Sequence, residues 1–309
     1  MIQNTVIVGM GALGLLFGKQ IRDRAGAQAV AFLMGEERKA RHERDRYLVN
    51  GEEVSFRMLT PAEISGPADL VIIATKGGGL SAAVEMIGGV LGEGTVVISL
   101  LNGISSEEEI RKKYPDACVL DCVAIGMDAM REGTALSYTK MGKLQIGSGD
   151  EGREHAVRLL ADFFQRCGIP YEVCQDIQKA MWNKFMINVG INQTCMVYSA
   201  TYGEALNTPA WFEEMKGAMR EVIALARAEG IALGQEDFEN DIRLLKTLNP
   251  DSCPSMQQDA LAGRKTEADL FAGTVLRLAE KHRIPVPVNE KYLRRIREIE
   301  SGFAAKPTP

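Results

Sequence analysis

Short, wholly apolar runs alternate with amphipathic segments over the first half of the chain. Thr5-Val-Ile-Val-Gly-Met10 is one such run, stopped by glycine. Asp69–Thr75 and Thr95–Leu101 are two more, strand-sized and with little polar–apolar alternation. Runs of this kind predict strands of a parallel sheet that is covered on both faces. Residues 12 to 25 have helical composition and end at Gly26, which suits the position just past a helix. Residues 28 to 34 read as a second strand. Asn50-Gly51, set between strand-like flanks over residues 47 to 56, predicts a hairpin. Ser106 with Glu109 fits a capping box for a helix near 107 to 114. A strand over 117 to 124 and a hairpin around 134 to 147 complete this region.

An amphipathic helix follows, and the character changes only after Ile169–Cys174. Over residues 151 to 167, Ala156, Leu160, Phe163, Phe164 and Cys167 share one helical face, and Gly168 follows as a stop. From Asp176 to Ser301 nearly every segment has a helical period, broken at Pro209, Pro250, Pro285 and Pro287. With Gly9-Met10-Gly11-Ala12-Leu13-Gly14 between the first strand and the first helix, the pattern predicts an α/β fold: a Rossmann-type dinucleotide-binding domain over residues 1 to 170, then an all-helical domain over 171 to 309.

Composition narrows the function classes. The length of 309 residues suits two domains, and 46% hydrophobic with 25% charged residues is ordinary for a soluble globular chain. Lys and Arg number 36 against 41 Asp and Glu, a net charge of −5 that argues against broad nucleic-acid binding and a polybasic membrane anchor. No apolar run approaches the roughly 18 to 20 residues of a membrane helix, and Met1-Ile-Gln-Asn4 lacks the basic start of a secretory peptide. The six cysteines are sparse and form no Cys-x-x-Cys, as expected of reduced thiols in the cytoplasm. The three histidines are isolated, so neither a metal site nor a histidine triad is expected.

Gly9-Met10-Gly11-Ala12-Leu13-Gly14 joins the first strand to the first helix. Here Gly9 permits the tight turn, Gly11 lets a pyrophosphate approach the backbone, and Gly14 allows close helix–strand packing. The helix start then offers unpaired N–H groups to an anion. An acidic residue closing the second strand would hold the ribose 2′-hydroxyl of NAD, but Leu33-Met34-Gly35 stands there. In the following run, Arg38, Lys39 or Arg41 could hold a 2′-phosphate, while Glu36 could serve NAD. Lys76 and Asn102-Gly103 close two further strands at the edge where open α/β sheets bind ligands.

The helical half carries two polar stripes. Lys184, Asn188 and Asn192 are spaced by four, amid Trp182, Phe185, Ile187, Val189 and Ile191. A buried helix with a lysine and two asparagines on one line is costly unless those groups have partners. Ser255, Asp259 and Glu267 also fall at multiples of four and would line one face of a helix continuous through Gly263. A lysine general acid, a carboxylate and several amide or hydroxyl donors suit reduction of a ketone, whose developing alkoxide needs a proton.

These residues, taken in order, resemble the ketopantoate reductase family over nearly the whole chain. The resemblance rests on Gly9–Gly14, Thr75-Lys76, Asn102-Gly103, Trp182-Asn-Lys184 with Asn188 and Asn192, Ser255-Met256 with Asp259, Thr266-Glu267, and Ile284-Pro285-Val286-Pro287. It implies reduction of 2-dehydropantoate to (R)-pantoate with NADPH, toward pantothenate and coenzyme A. It further implies Lys184 as proton donor and Glu267 as the acid holding the substrate hydroxyl and the lysine geometry. Asn188, Asn192 and Ser255 would bind the keto acid, Asn102 would lie between nicotinamide ribose and substrate, and Lys76 would lie near the cofactor. The chain departs from the family at Met34, where an arginine is often found, at Gly77–Gly79 after Lys76, and at Ala272 in place of an asparagine. NADH, another 2-keto acid, and a catalytically silent NADP sensor are the alternatives. A homodimer is compatible with this reading.

Overall fold

The computed structural model describes residues 1–303. The chain divides into two compact units, Met1–Ala180 and Met181–Pro309. The division falls inside a helix and later than the boundary near residue 170 read from the sequence.

The first unit is built on a parallel sheet. In chain order it contains β1 (Thr5–Val8), α1 (Ala12–Ala25), β2 (Val30–Leu33), α2 (Glu36–His42), β3 (Tyr47–Val49), β4 (Glu52–Val54), β5 (Met58–Leu59), β6 (Leu70–Ile73), α3 (Leu80–Ile87), β7 (Val96–Ser99), α4 (Ser106–Lys113), β8 (Cys118–Val119), β9 (Asp121–Ile125), β10 (Met130–Glu132), β11 (Ala135–Ser137), β12 (Lys143–Gly147), α5 (Glu154–Cys167) and β13 (Tyr171–Val173). The main sheet has the order β5-β2-β1-β6-β7-β8, all parallel. That is the doubly wound arrangement, with the strand order reversing between β1 and β6. Every residue of β1, β2, β6 and β7 is buried, as near-continuous apolar runs predict. Leu15, Leu16, Phe17 and Ile21 of α1 join Ile7 and Phe32 in one core cluster.

Several local expectations hold and others need correction. Asn50 and Gly51 take φ of 48° and 82°, the two positive values that a two-residue hairpin turn needs, and join β3 to antiparallel β4. Gly168 ends α5 at φ 63°. The single strand expected over 117 to 124 is two strands: β8 closes the main sheet, and β9 pairs antiparallel with β12 in a separate three-stranded sheet. The hairpin expected around 134 to 147 lies earlier, at β10–β11, because Gly133 at φ 58° provides the turn. Ser106 is the first residue of α4 rather than its cap, and its hydroxyl donates to the Glu107 carboxyl. Residues 171–173, expected in the helical half, pair parallel with β12 as β13.

The helical series runs α6 (Ile177–Ile187), α7 (Gln193–Tyr198), α8 (Tyr202–Asn207), α9 (Pro209–Ala228), α10 (Gln235–Leu245), α11 (Ser255–Leu261), α12 (Thr274–His282) and α13 (Pro287–Ser301). Two five-residue π turns interrupt it, Asn188–Asn192 before α7 and Asp269–Gly273 before α12. They pack against each other and are tied by Ala272 N–H, which donates to Gln193 Oε1 at 3.2 Å. Gln193 donates in turn to Asn289 Oδ1 at 3.1 Å, and Asn289 to Glu221 Oε2 at 2.7 Å. Gly190 lets α9 approach the first π turn, since a Cβ there would stand 2.5 Å from Met219 Cγ. Ala272, noted above as a departure, is fully buried at this junction. Among the described residues no helix is long and apolar enough to cross a membrane, and no cluster of three His, Cys, Asp or Glu is placed to hold a metal ion.

Candidate functional site

The glycine-rich turn lies where the strand order reverses. Gly9 takes φ 112°, and a Cβ there would be 2.5 Å from Ala74 O at the end of β6. Only glycine satisfies both the positive φ and the close approach. Gly14 lies against the turn itself: its Cβ would be 2.0 Å from Gly9 O. Gly11 precedes α1 at φ −74°, with no side-chain cap and no acidic residue in the first turn. The first N–H groups of this 14-residue helix therefore remain available to an anion.

A pocket opens beside the turn at the carboxyl ends of β1, β2 and β6. It is lined by Gly9, Met10, Met34, Arg38, Thr75 and Gly79, among others. Of the three basic residues that could replace the missing arginine, Arg38 is the one on this wall. Lys39 is held by Glu63 and Glu43. Arg41 is exposed and does not line the pocket. Met34 itself is buried. Thr75 Oγ1 is buried without a hydrogen-bond partner, a polar atom at the pocket that a ligand could satisfy. Gly77–Gly79 form a single 3₁₀ turn leading into α3, with Lys76 exposed at its start.

One basic group here was not foreseen. Arg131, in the middle of β10, donates from Nη1 to Met10 O and from Nε to Gly133 O at 2.7 Å. A strand from a four-stranded sheet of order β10-β11-β3-β4 thus reaches the glycine turn. Beside it, Tyr47 Oη lies 2.6 Å from His42 Nδ1 and 3.2 Å from Asp45 Oδ2. Burial, reinforced by the Asp45 carboxylate, pushes the Tyr47 phenol up to about 12, against the opposing pull of Arg131 and Arg38.

Asn102 is half-buried and precedes Gly103, which takes φ 100°. The loop enters α4, whose Glu107 is 3% exposed. Burial pushes the Glu107 carboxyl up to about 7, while the Ser106 hydroxyl, 2.8 Å away, opposes the shift. Arg111 of the same helix pairs with buried Asp121 at 2.8 Å, and Gln178 donates to the other oxygen of Asp121 at 2.8 Å. The burial of Glu107 was not legible in the sequence because it sits in a charged run that looks solvated.

In the helical unit, Lys184 is half-buried on α6, and Asn188 and Asn192 open and close the first π turn, each 8% exposed. Asn192 Nδ2 donates to Asn188 Oδ1 at 3.2 Å, so the two amides do share a face. Asn188 Nδ2 is buried and without a partner. The second stripe is not one helix. After α11, Gly263 takes φ 64°, and Glu267 precedes the second π turn. Ser255 is exposed at the first position of α11, and buried Asp259 is held by Arg264 at 2.8 Å. Glu267 is half-buried. Its neighbour Thr266 is fixed by N–H and Oγ1 donation to Glu300 at 2.7 and 2.6 Å.

Comparisons with known proteins agree along the chain. The model described as Ketopantoate reductase PanE/ApbA matches residues 5–151, and that described as Ketopantoate reductase PanE/ApbA C terminal matches residues 176–300. A 2-dehydropantoate 2-reductase of Streptococcus pyogenes serotype M6 is 27% identical over 298 residues, covering 95% of each chain. Among solved structures, a dimeric ketopantoate reductase from Staphylococcus aureus superposes with a TM-score of 0.81 at 19% identity, over 97% of this chain and 99% of that one. A D-mandelate dehydrogenase in complex with NADH superposes with a TM-score of 0.87 at 22% identity, over 97% and 99%.

Proposed function

The chain belongs to the ketopantoate reductase PanE/ApbA family, and from that premise we propose that it reduces a branched 2-keto acid, 2-dehydropantoate, to (R)-pantoate with NADPH. The observation that carries the reading is the buried face of Asn188 and Asn192. A buried amide N–H without a partner costs about 1–3 kcal/mol, and Asn188 Nδ2 is such a group beside half-buried Lys184. An oxygen-rich substrate supplies the missing acceptor.

When bound at the glycine turn, the nicotinamide dinucleotide supplies a hydride to the carbonyl carbon. The residues of the chain do the rest. The Lys184 ammonium gives a proton to the carbonyl oxygen as it becomes a hydroxyl, and the neutral amine is left behind. Glu267 accepts from the substrate hydroxyl and keeps the lysine in place. Asn188, Asn192 and Ser255 hold the remaining oxygens, and Asn102 orients substrate against cofactor. Gly9, Met10, Gly11, Ala12, Leu13 and Gly14 receive the pyrophosphate, with Lys76 nearby. Arg38 meets the 2′-phosphate in the role that Met34 cannot fill, and Arg131 steadies the turn through Met10 O. The reaction would serve pantothenate synthesis in the cytoplasm, and by analogy with the dimeric relative from Staphylococcus aureus the protein would act as a homodimer.

A second reading is favoured by the fold likeness to D-mandelate dehydrogenase with NADH and by the methionine at position 34. In it the chain uses NADH on another 2-keto acid. Rates of NADPH and NADH oxidation with ketopantoate and with simpler or aromatic 2-keto acids separate the two. NADPH oxidation fastest with ketopantoate supports the first; NADH oxidation fastest with another acid replaces it with the second. Binding of NADPH without turnover of any keto acid would leave a sensor instead.

A further inference from the structure

Asn183 lies between Trp182 and Lys184 on α6 and is absent from every role above. Its Nδ2 donates to Asp241 Oδ1 on α10 at 3.1 Å. Asp241 is 4% exposed, and its second oxygen, Oδ2, is buried without a partner. The other end of the amide, Asn183 Oδ1, is buried without a partner too. Two orphaned acceptors at one contact are a costly arrangement for an ionised carboxylate, which can only accept. A single proton on Oδ2 changes the count: the carboxylic acid then donates to Asn183 Oδ1 while accepting from Nδ2, and both orphans are satisfied at once.

We propose that Asp241 is carried as the neutral acid up to neutral pH and closes a cyclic acid–amide pair with Asn183, which fixes the rotation of α6 and so positions Lys184. The part concerning Lys184 rests on the function proposed above; the pair itself does not. The surroundings agree with a neutral acid. Burial pushes the Asp241 carboxyl up to about 7, the Asn183 N–H pulls the other way, and the Asp237 carboxylate adds to the rise. Asp237 is one turn earlier on the same helix and accepts from Gly234 N–H at 2.9 Å. From α6 the facing group is the uncharged Asn183, and Arg220 of α9 is engaged over the Phe238 ring at 5.2 Å. On α6, Trp182 meets Phe185 edge-on at 5.9 Å. Asp241 therefore acts as a positioning residue, through Asn183.

Asp241→Asn replaces the acid by an amide that can make the same two bonds, whereas Asp241→Ala can make neither. Thermal unfolding of the full chain is followed from about pH 5 to about pH 9, with the infrared band of a protonated carboxyl as an independent readout. The folded-state value lies above the ordinary 3.8 of an aspartate, so the stability that the acid contributes is complete below about pH 4 and is lost as pH rises through about 7. The wild type should therefore fall by several degrees relative to Asp241→Asn up to about pH 7, and the difference between them should stay constant above that. The protonated-carboxyl band present in the wild type should be missing from Asp241→Asn. In turnover, Asp241→Ala should lose about tenfold or more in kcat with little change in the KM for NADPH, and Asp241→Asn should recover most of it. Parallel unfolding curves, no protonated-carboxyl band, or an Asp241→Asn variant as impaired as Asp241→Ala would overturn the proposal. A wild type that reduces no keto acid would instead remove the functional reading, and the unfolding and infrared results would still decide the pair. Should Asp241→Ala fail to fold, the comparison of wild type with Asp241→Asn suffices.

Discussion

Gly11 and Gly14 belong to one turn, yet a methyl group added at each should act differently. At Gly11 the backbone is at φ −74° and a Cβ would meet Ala74 O at 3.5 Å, an ordinary contact. Replacing a glycine by alanine where the backbone suits it changes stability by about 0.4–1 kcal/mol, and in the favourable direction. At Gly14 two effects compete. Alanine is a better helix former by about 1 kcal/mol. Against that, its Cβ would stand 2.0 Å from Gly9 O, whereas non-bonded carbon atoms prefer roughly 3.5 Å or more. The start of α1 would have to withdraw from the backbone of the turn, and overpacking of this kind costs about 1–3 kcal/mol, occasionally more. The clash wins. At about 2–4 °C per kcal/mol for a domain of this size, Gly14→Ala should melt a few degrees below the wild type, and Gly11→Ala level with it or slightly above. Fluorescence titration with NADPH then separates fold from function. Gly11→Ala should bind at least about tenfold more weakly, because its methyl group covers backbone that the pyrophosphate must approach. Gly14→Ala should lose affinity and stability together. A Gly11→Ala variant that melts normally and binds NADPH as well as the wild type would refute the placement of the cofactor at this turn.

Three further outcomes concern Arg38, Arg131 and Glu107. Arg38→Ala should weaken NADPH by about 10- to 100-fold, the worth of one charge-assisted hydrogen bond, and leave NADH nearly unchanged. Arg131→Ala should weaken both cofactors alike, and an unchanged NADPH-to-NADH affinity ratio in Arg38→Ala would end the 2′-phosphate assignment. Glu107→Gln tests the buried acid at the start of α4. The Glu107 carboxyl sits at about 7 in the folded chain against an ordinary 4.5, so its contribution is complete below about pH 4.5 and is lost as pH rises through about 7. Between those limits the stability difference should move by about 3 kcal/mol in favour of the glutamine variant. Denaturant unfolding at pH 5 and pH 8 reads it directly, and a difference that does not move with pH contradicts the buried acid.

Much of the first unit was legible because its signals are local and stereochemical. Asn50-Gly51 can hardly be anything but a turn with two positive φ values, and the glycines of the first turn are needed for a backbone approach that a Cβ forbids. The long amphipathic face of α5, closed by Gly168, is legible for the same reason. What escaped depended on contacts distant in sequence or on departures from the α-helical repeat. Only Leu120 separates β8 from β9, so one strand was read where two exist. Arg131 reaches Met10 across 121 positions, and nothing in its own neighbourhood announces it. Spacing by four assumes an uninterrupted helix. It survives the first π turn only in that Asn188 and Asn192 still meet, and it fails at Gly263, where the backbone turns left-handed and detaches Glu267 from the Ser255 helix. Asp241 and Asn183 were invisible because each, alone, reads as a solvated residue on a helix.

The proposed reaction turns on Lys184 as proton donor in a dinucleotide-dependent keto-acid reduction. It is tested most directly by comparing NADPH binding with single-turnover reduction of ketopantoate in the wild type and in Lys184→Ala. Lys184→Ala should keep the NADPH affinity unchanged and lower the rate by about 10²- to 10⁴-fold, the usual contribution of a positioned general acid. A Lys184→Ala enzyme that reduces ketopantoate at the wild-type rate would contradict it.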